Sequence, residues 1–145
     1  MVNCKLVTDE DELKEAYTVR AAVFTGEQGI PANIVFDDHD LIALHFVAQQ
    51  DTLIVGTARV VLLNRKQAKV ERMAVIASAR RRGIGRQIMQ FIEDEMEKRR
   101  VAQIILHARY DVADFYRSCG YRQAGGPFQE AGIKHIVMRK ALDKY

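Results

Sequence analysis

Four arginines surround two glycines in the stretch ARRRGIGRQI, residues 79–88. The stretch follows an apolar, strand-like run and precedes a helical pattern. The first turn of a helix has unpaired N–H groups and carries the positive end of the helix dipole, so an anion fits there. Gly83 and Gly85 let a ligand approach the backbone closely, and the flanking side chains add positive charge: Arg80, Arg81, Arg82 and Arg86. We expect a pyrophosphate site, and a solvated basic turn is the alternative that the residue types leave open.

Two familiar glycine motifs do not match this stretch. A P-loop requires Gly-Lys-Ser/Thr separated from its first glycine by four residues, and no such string occurs. A dinucleotide fingerprint requires a third glycine where Ile88 stands, and an acidic residue at the end of the next strand, where His107 stands. The sequence therefore favours neither kind of nucleotide site.

Three further side chains have types suited to proton transfer. Tyr116 is a possible proton donor, although its helical spacing with other apolar residues is also typical of a core position. Glu71 is a possible base; strand side chains alternate, so we expect it to share a face with Met73 and Val75, and an ion-paired glutamate is equally compatible. His107 ends an apolar strand, where a histidine is either a structural hydrogen-bonding group or a base, and His135 has the same two roles open.

The acidic stretch FDDHD, residues 36–40, offers possible metal ligands. Consecutive residues rarely converge on one ion, and the later bidentate glutamate of a calcium loop is missing, so we expect no metal. Acids beside the acceptor would instead attract a cationic amine, and on this ground Asp38 and Glu27 are candidate substrate contacts. Solvated turn acids are the alternative.

Length and composition limit the classes of protein. The 145 residues are 48% hydrophobic and 28% charged, with a net charge of +3, which indicates one globular domain over residues 1–145. No run approaches the roughly 20 apolar residues of a membrane span, and no export leader is visible, so we expect a cytoplasmic protein without a membrane partner. The mild, locally concentrated charge argues against nucleic-acid binding.

Periodicity predicts the order βα, a loop, βββ, α, β, α, β. A helix is expected from about Asp9 to Phe24, a long loop or short helix with turns to residue 40, and three antiparallel strands between Leu41 and Ile76. Ile84, Ile88, Phe91, Ile92 and Met96 trace one face of a second helix. The fold class is α/β (α+β), with a mixed, mostly antiparallel sheet.

The string Arg80-x-x-Gly83-x-Gly85, preceded by ERMAV and followed by DFYRSCGYR, resembles the GNAT superfamily of acetyl-CoA-dependent N-acetyltransferases over nearly the whole chain. VRAAVFTGEQGIP, DDHDLIALHFVA and FQEAGIKHIVMRK are similar to its ElaA-like and YjcF-like branch of small bacterial proteins. The resemblance implies helices on both faces of the sheet.

The resemblance also implies roles for particular residues. Pyrophosphate contacts fall on Arg81, Arg82, Gly83, Ile84, Gly85 and Arg86, the pantetheine arm on Met73, Ala74 and Val75, and the general acid on Tyr116. Backbone N–H groups near Ala74 and Val75 would polarise the thioester carbonyl. Arg109 stands where many members have Asn or Gln, which changes a polar contact often made to the cofactor.

The implied function is transfer of an acetyl group from acetyl-CoA to a primary amine by direct attack on the thioester. The acceptor would be a small molecule or a peptide, and the enzyme a monomer or homodimer. Two other functions stay open on the sequence: a CoA-binding sensor without catalysis, and a nucleic-acid-binding module that uses Arg80–Arg86.

Overall fold

The computed structural model describes residues 1–142, which form a central sheet with helices packed against it. The strands are β1 Val2–Leu6, β2 Leu44–Gln50, β3 Leu53–Leu62, β4 Gln67–Val75, β5 Gln103–Arg109, β6 Arg122–Gln123, β7 Phe128–Glu130 and β8 Ile133–Ala141. The α-helices are α1 Glu10–Arg20, α2 Ala32–Val35, α3 Ile84–Lys98 and α4 Ala113–Ser118. None of these helices combines the length and the apolar character needed to cross a bilayer.

The sheet has the order β1-β2-β3-β4-β5-β8-β6, and β7 pairs with β8. Every neighbouring pair is antiparallel except β4 and β5, which run parallel. α1 packs on one face against β2, β3 and β4, and α3 packs on the other. The predicted mixed, mostly antiparallel sheet with helices on both faces is confirmed. The short strands β6 and β7 escaped the sequence analysis.

Helix α3 is fixed to the sheet by its apolar face. Ile84, Ile88, Ile92 and Met96 are each at most 2% exposed, as their spacing predicts. Each such side chain stabilises the fold by roughly 1.5–3 kcal/mol. Gly56 in β3 lets the helix come close, because a Cβ there would lie 2.8 Å from Cδ1 of Ile88. The N-terminus of α3 is therefore held firmly beside the end of β4.

Strand β4 contains a β-bulge. Arg59 of β3 pairs with Glu71, whereas Thr57 pairs with Ala74, so one extra residue is inserted between them. Arg72 within the bulge has φ of 56°. A bulge shifts the alternation of side chains, which places Glu71 and Ala74 on the α1 face and Val75 on the α3 face. The expectation that Glu71 shares a face with Val75 by strict alternation is therefore wrong.

Two fully buried arginines tie the acidic stretch to the sheet. Arg59 donates to both carboxylate oxygens of Asp37, at 2.7 and 3.0 Å, and to Asp40 at 3.0 Å. Arg20 donates to Asp40 at 2.7 Å. Arg72 extends the network to Asp37 at 3.3 Å and to backbone carbonyls of α2. These contacts order residues 32–41, which the sequence predicted only as a loop or short helix.

The first helix also differs from its prediction. α1 ends at Arg20, but the chain continues in a π-helical turn, Ala21–Glu27, beyond the predicted end at Phe24. This turn carries Glu27 toward the end of β4. The extension matters for the site, because Glu27 then reaches the arginine bend.

Replacing Asp37 with Asn should lower stability in a pH-dependent way. The hydrogen bonds from Arg59 lower the pKa of Asp37 to about 2, against about 3.9 for an unfolded aspartate. A depressed pKa stabilises the fold above the unfolded pKa, and this contribution is lost as the pH falls through 4 toward 2. Urea unfolding should therefore show the largest difference between wild type and Asp37→Asn near neutral pH, with the difference shrinking in acid.

Asp38→Asn is the matched control, because the neighbouring Asp38 side chain is exposed and makes no ion pair among the described residues. It should unfold as wild type does at every pH. A deficit of Asp37→Asn that stays constant down to pH 2 would contradict the role given to the Arg59 pair.

Candidate active site

The parallel strands β4 and β5 pair over only the first half of their length and then separate. They pair from Gln67–Gln103 to Val70–Leu106, and no pairing follows beyond that point. A cavity of about 410 Å³ opens between them, lined by residues of both strands, of α4 and of the β7–β8 hairpin. Met73, His107 and Tyr116 all lie on its wall. We call this cavity the cleft.

The arginine bend forms a second cavity, of about 290 Å³, at the end of β4. Arg81 and Gly83 have φ of 65° and 76°, and α3 begins at Ile84. No side chain caps the helix, and the backbone N–H groups from Arg81 to Arg86 have no hydrogen-bond partner among the described residues. Unpaired amides at a helix N-terminus are the setting in which phosphate groups bind.

Contacts between α3 and α4 shape the wall of the bend cavity. A Cβ on Gly85 would lie 3.1 Å from Cζ of Phe115, so glycine permits the close approach of α4. Arg86 donates to the carbonyl oxygen of Ser118 at 3.1 Å and to its hydroxyl at 2.7 Å. The side chain of Arg86 thus joins the two helices beside the cavity.

The arginines of the bend differ in what they contact. Arg80 makes a two-pronged ion pair with Glu27, at 2.6 and 2.8 Å, and its Nε donates to the carbonyl of Val75 at 2.9 Å. Arg81 lines the bend cavity, whereas Arg82 is exposed and does not. Glu27, expected to contact the acceptor, therefore lies at the bend and outside the cleft lining.

Residues 73–75, which the resemblance assigns to the pantetheine arm, divide between the two faces of β4. Met73 lines the cleft and Val75 lines the bend cavity. Ala74 is 3% exposed and packs against Val19 and Val23 on the opposite face. Only Met73 and Val75 of the three therefore present side chains to the two cavities.

Tyr116 is a core residue that also reaches the cleft. Its side chain is 9% exposed and packs edge-on against Phe115, with ring centroids 4.9 Å apart. Burial raises the pKa of the phenol, and nearby Cys119 adds to the shift. Its hydroxyl has no hydrogen-bond partner within residues 1–142. Tyr116 therefore stays protonated at neutral pH and has its proton available for donation.

Glu71 lies on the cleft wall among cations. Its carboxylate is 3.2 Å from Arg59, 3.2 Å from Lys69 and 4.0 Å from Arg72. Burial alone would raise the pKa of Glu71, but the charges of Lys69 and Arg59 outweigh it and lower the pKa. The carboxylate is therefore a weak proton acceptor.

The remaining predicted contacts are a histidine in the cleft and an aspartate outside it. His107 lines the cleft, and its Nδ1 lies 2.9 Å from Oε1 of Glu130 on β7. Asp38 is exposed and does not line the cleft. Arg109 lines the cleft and donates to Asp111 at 3.1 Å.

Glu130 and Arg59 are the residues of the site that sequence reasoning missed. Only the alternation in FQEAGIKHIVMRK gave a signal for Glu130, through the hairpin that this pattern forms. Within the described part of the chain, no group of three or more His, Cys, Asp or Glu side chains is placed to hold a metal ion.

Comparison with known proteins gives the family. The family model described as the acetyltransferase (GNAT) domain matches residues 33–142. A relative from Bacillus subtilis (strain 168), whose name assigns it to the acetyltransferases, is 34% identical over 98% of each chain. Bacillus subtilis YjcF, named as an uncharacterized N-acetyltransferase, is 32% identical over 93% of this chain and 96% of its own.

Solved structures show the same fold. Escherichia coli ElaA is 22% identical, with a TM-score of 0.86 over 97% of this chain and 99% of its own. A GNAT family acetyltransferase from Elizabethkingia anophelis with acetyl-CoA bound is 12% identical, with a TM-score of 0.74 over 97% of each chain. With the family model matching most of its length and the relatives from Bacillus subtilis aligned over nearly all of it, the chain belongs to the GNAT acetyltransferase family.

Proposed function

We propose that the protein transfers an acetyl group from acetyl-CoA to a primary amine by direct attack of the amine on the thioester. The observation that carries this proposal is the arrangement of the two cavities. The bend cavity, with its unpaired amides, and the cleft, with Tyr116, lie along one strand, β4. A long ligand with a diphosphate at one end and a thioester at the other fits this arrangement.

The diphosphate would bind at the first turn of α3. The N–H groups of Gly83, Ile84, Gly85 and Arg86 are the donors, and the helix dipole favours the negative charge. Arg81 adds a cation at the rim, whereas Arg80 is held by Glu27 and orders the bend. Arg82, which the resemblance predicts as a pyrophosphate contact, would contribute only a positive charge at the periphery of the bend cavity.

The pantetheine arm would lie along the free edge of β4. Beyond Val70 this strand pairs only with β3, so backbone groups on its other edge are available for a ligand to pair with, whereas the Val75 carbonyl already accepts from Nε of Arg80. Met73 and Val75 flank this edge. The amides near Ala74 and Val75 are the expected donors to the oxyanion that forms on attack.

Tyr116 would protonate the leaving thiolate. The phenol is kept protonated by burial, and it lines the same cleft as Met73 of β4. Glu71 is the base expected from the sequence, but three cations surround its carboxylate. It is therefore better suited to holding the side chain of Arg59 and the bulge of β4 in place. The structural similarity to a GNAT family acetyltransferase with acetyl-CoA bound supports acetyl-CoA as the donor of the acetyl group.

Acetyl-CoA should raise the melting temperature of the wild-type protein by several degrees. At a hundredfold excess over the dissociation constant, a ligand stabilises the folded state by about 2.7 kcal/mol. Arg81→Glu should weaken binding about tenfold or more, because a charge-assisted contact worth roughly 1.5–3 kcal/mol becomes repulsive. Thermal shift and calorimetric titration measure both effects.

Arg99→Glu is the matched control, because Arg99 is an exposed arginine at the opposite end of the same helix. It removes the same charge and should bind acetyl-CoA as wild type does. Equal weakening by both variants would mean that net charge, and not the bend, governs binding.

Tyr116→Phe should bind acetyl-CoA normally and lose at least about a hundredfold in turnover, the usual contribution of a positioned acid. Turnover is measured as release of the CoA thiol with a panel of n-butylamine, benzylamine, cadaverine and glycinamide. Tyr121→Phe is the control, since the hydroxyl of Tyr121 donates to buried Glu93 at 2.9 Å and should affect stability only. Full activity in Tyr116→Phe would refute the acid's role. Acetyl-CoA binding with no turnover by wild type would favour a sensor.

A further inference from the structure

We propose that His107 accepts the proton of the acceptor amine, and that Glu130 positions the imidazole for this role. The inference rests on the proposed function and names the proton acceptor that the reaction requires. It comes from a cluster on the cleft wall that brings together His107 of β5, Glu130 of β7 and His135 of β8.

His107 occupies the point where the two parallel strands part. Leu106 is the last residue of β5 that pairs with β4, and His107 follows it directly. The side chain lines the same cavity as Met73 and Tyr116 and is about one-quarter exposed. A base at this point lies in the same cleft as the proposed end of the pantetheine arm and as Tyr116, the proposed acid.

The contact with Glu130 fixes the tautomer of His107. A carboxylate can only accept hydrogen bonds, so Nδ1 of His107 must carry the hydrogen that it donates to Oε1 of Glu130 at 2.9 Å. The other nitrogen, Nε2, then bears a lone pair. Among the described residues Nε2 has no hydrogen-bond partner. The ring is thus oriented by one nitrogen and free to take a proton at the other.

His135 has the same tautomer as His107, but its Nε2 faces Glu130, which removes it as a rival. Its Nδ1 donates to the carbonyl oxygen of Ile133 at 2.7 Å, so its lone pair is on Nε2. That nitrogen lies 3.8 Å from Oε2 of Glu130 and faces the carboxylate. The lone pair of His135 is therefore directed at an anion, and the side chain is only 10% exposed.

The hairpin of β7 and β8 holds Glu130 in place beside His107. Phe128 pairs with His135, and Glu130 pairs with Ile133 across a turn at Ala131 and Gly132, which have φ of 51° and 74°. The ring of Phe128 packs edge-on against His107, with centroids 5.0 Å apart. Backbone pairing and ring packing together limit rotation of the imidazole.

The protons balance over the whole reaction. Nε2 of His107 takes one proton from the ammonium form of the acceptor, and the neutral amine attacks the carbonyl carbon to form the C–N bond. The C–S bond breaks as the carbonyl reforms, sulfur leaves with the electron pair, and the Tyr116 hydroxyl protonates it. The second proton of the attacking nitrogen restores Tyr116. The imidazolium releases its proton to water, and Glu130 stabilises its charge in the meantime.

Other ionisable groups share the cleft and bear on its pH dependence. They lie on β4, β5, α4 and β8: Lys69, Glu71, Arg72, Arg109, Tyr116 and His135. The carboxylate of Glu71 is held by Arg59 and Lys69 at 3.2 Å each, whereas Glu130 has only histidines as ionic partners among the described residues. Glu130 is therefore the anion in the cleft that is free to support a positive imidazolium.

The test compares three variants with wild type in CoA release from acetyl-CoA, with n-butylamine as acceptor. His107→Ala should lose at least about a hundredfold in kcat and bind acetyl-CoA normally. Imidazole added to the solution should restore part of its rate, because the small base can enter the space left by the side chain. Glu130→Gln, which keeps a hydrogen-bond acceptor but loses the charge, should lose about tenfold in kcat with little change in KM.

His39→Ala is the control, because this histidine is exposed and lies outside the cleft lining; it should keep a rate near that of wild type, with no response to imidazole. Wild-type activity in His107→Ala, or a loss that imidazole does not repair, overturns the inference and leaves the proposed function intact. A wild-type protein that neither binds acetyl-CoA nor releases CoA overturns both. A loss of acetyl-CoA affinity in His107→Ala would show a structural role and likewise overturn the inference.

Discussion

The separation of β4 from β5 beyond the pair Val70–Leu106 is the constraint on which the rest of the structure depends. Each strand keeps its partner on the outer side: β4 stays paired with β3 as far as Val75, and β5 stays paired with β8 as far as Arg109. The unpaired backbone groups therefore face each other across the cleft. Such groups bind a ligand or water, and this exposed edge of an internal strand is the feature on which the proposed binding of an extended cosubstrate rests.

The buried arginines hold this open geometry. Arg59 spans from β3 to the bulge at Glu71 and to Asp37 in the acidic stretch, so one side chain fixes the strand edge and the loop together. Removing one partner from a buried ion pair leaves an uncompensated charge, which typically costs about 3–5 kcal/mol. Arg80 and Glu27 make the corresponding link at the other end of β4, in a more exposed setting. The wall of the cleft is thus set by charge as much as by packing.

Local patterns in the sequence predicted the helices and strands, whereas the contacts within the site depend on residues far apart in the chain. The stripe from Ile84 to Met96 specified α3 because every position on it follows from the period of a helix. The glycine bend was visible because one short stretch carries the whole motif. The pairing of Arg59 with Asp37 joins residues 22 positions apart in sequence, and the contact of His107 with Glu130 joins residues 23 positions apart. No periodicity encodes such partners, so the sequence did not indicate that Arg59 binds Asp37 or that Glu130 contacts His107.

The central claim is that one ligand occupies the bend cavity and the cleft at once. Amide chemical shifts, followed by NMR during titration with acetyl-CoA, test it directly. The account predicts that the largest changes fall on the amides from Gly83 to Arg86 and on Met73 and Val75, and that all follow a single binding curve. Changes spread over the arginines at the far end of α3, or confined to the bend with β4 unaffected, would contradict it.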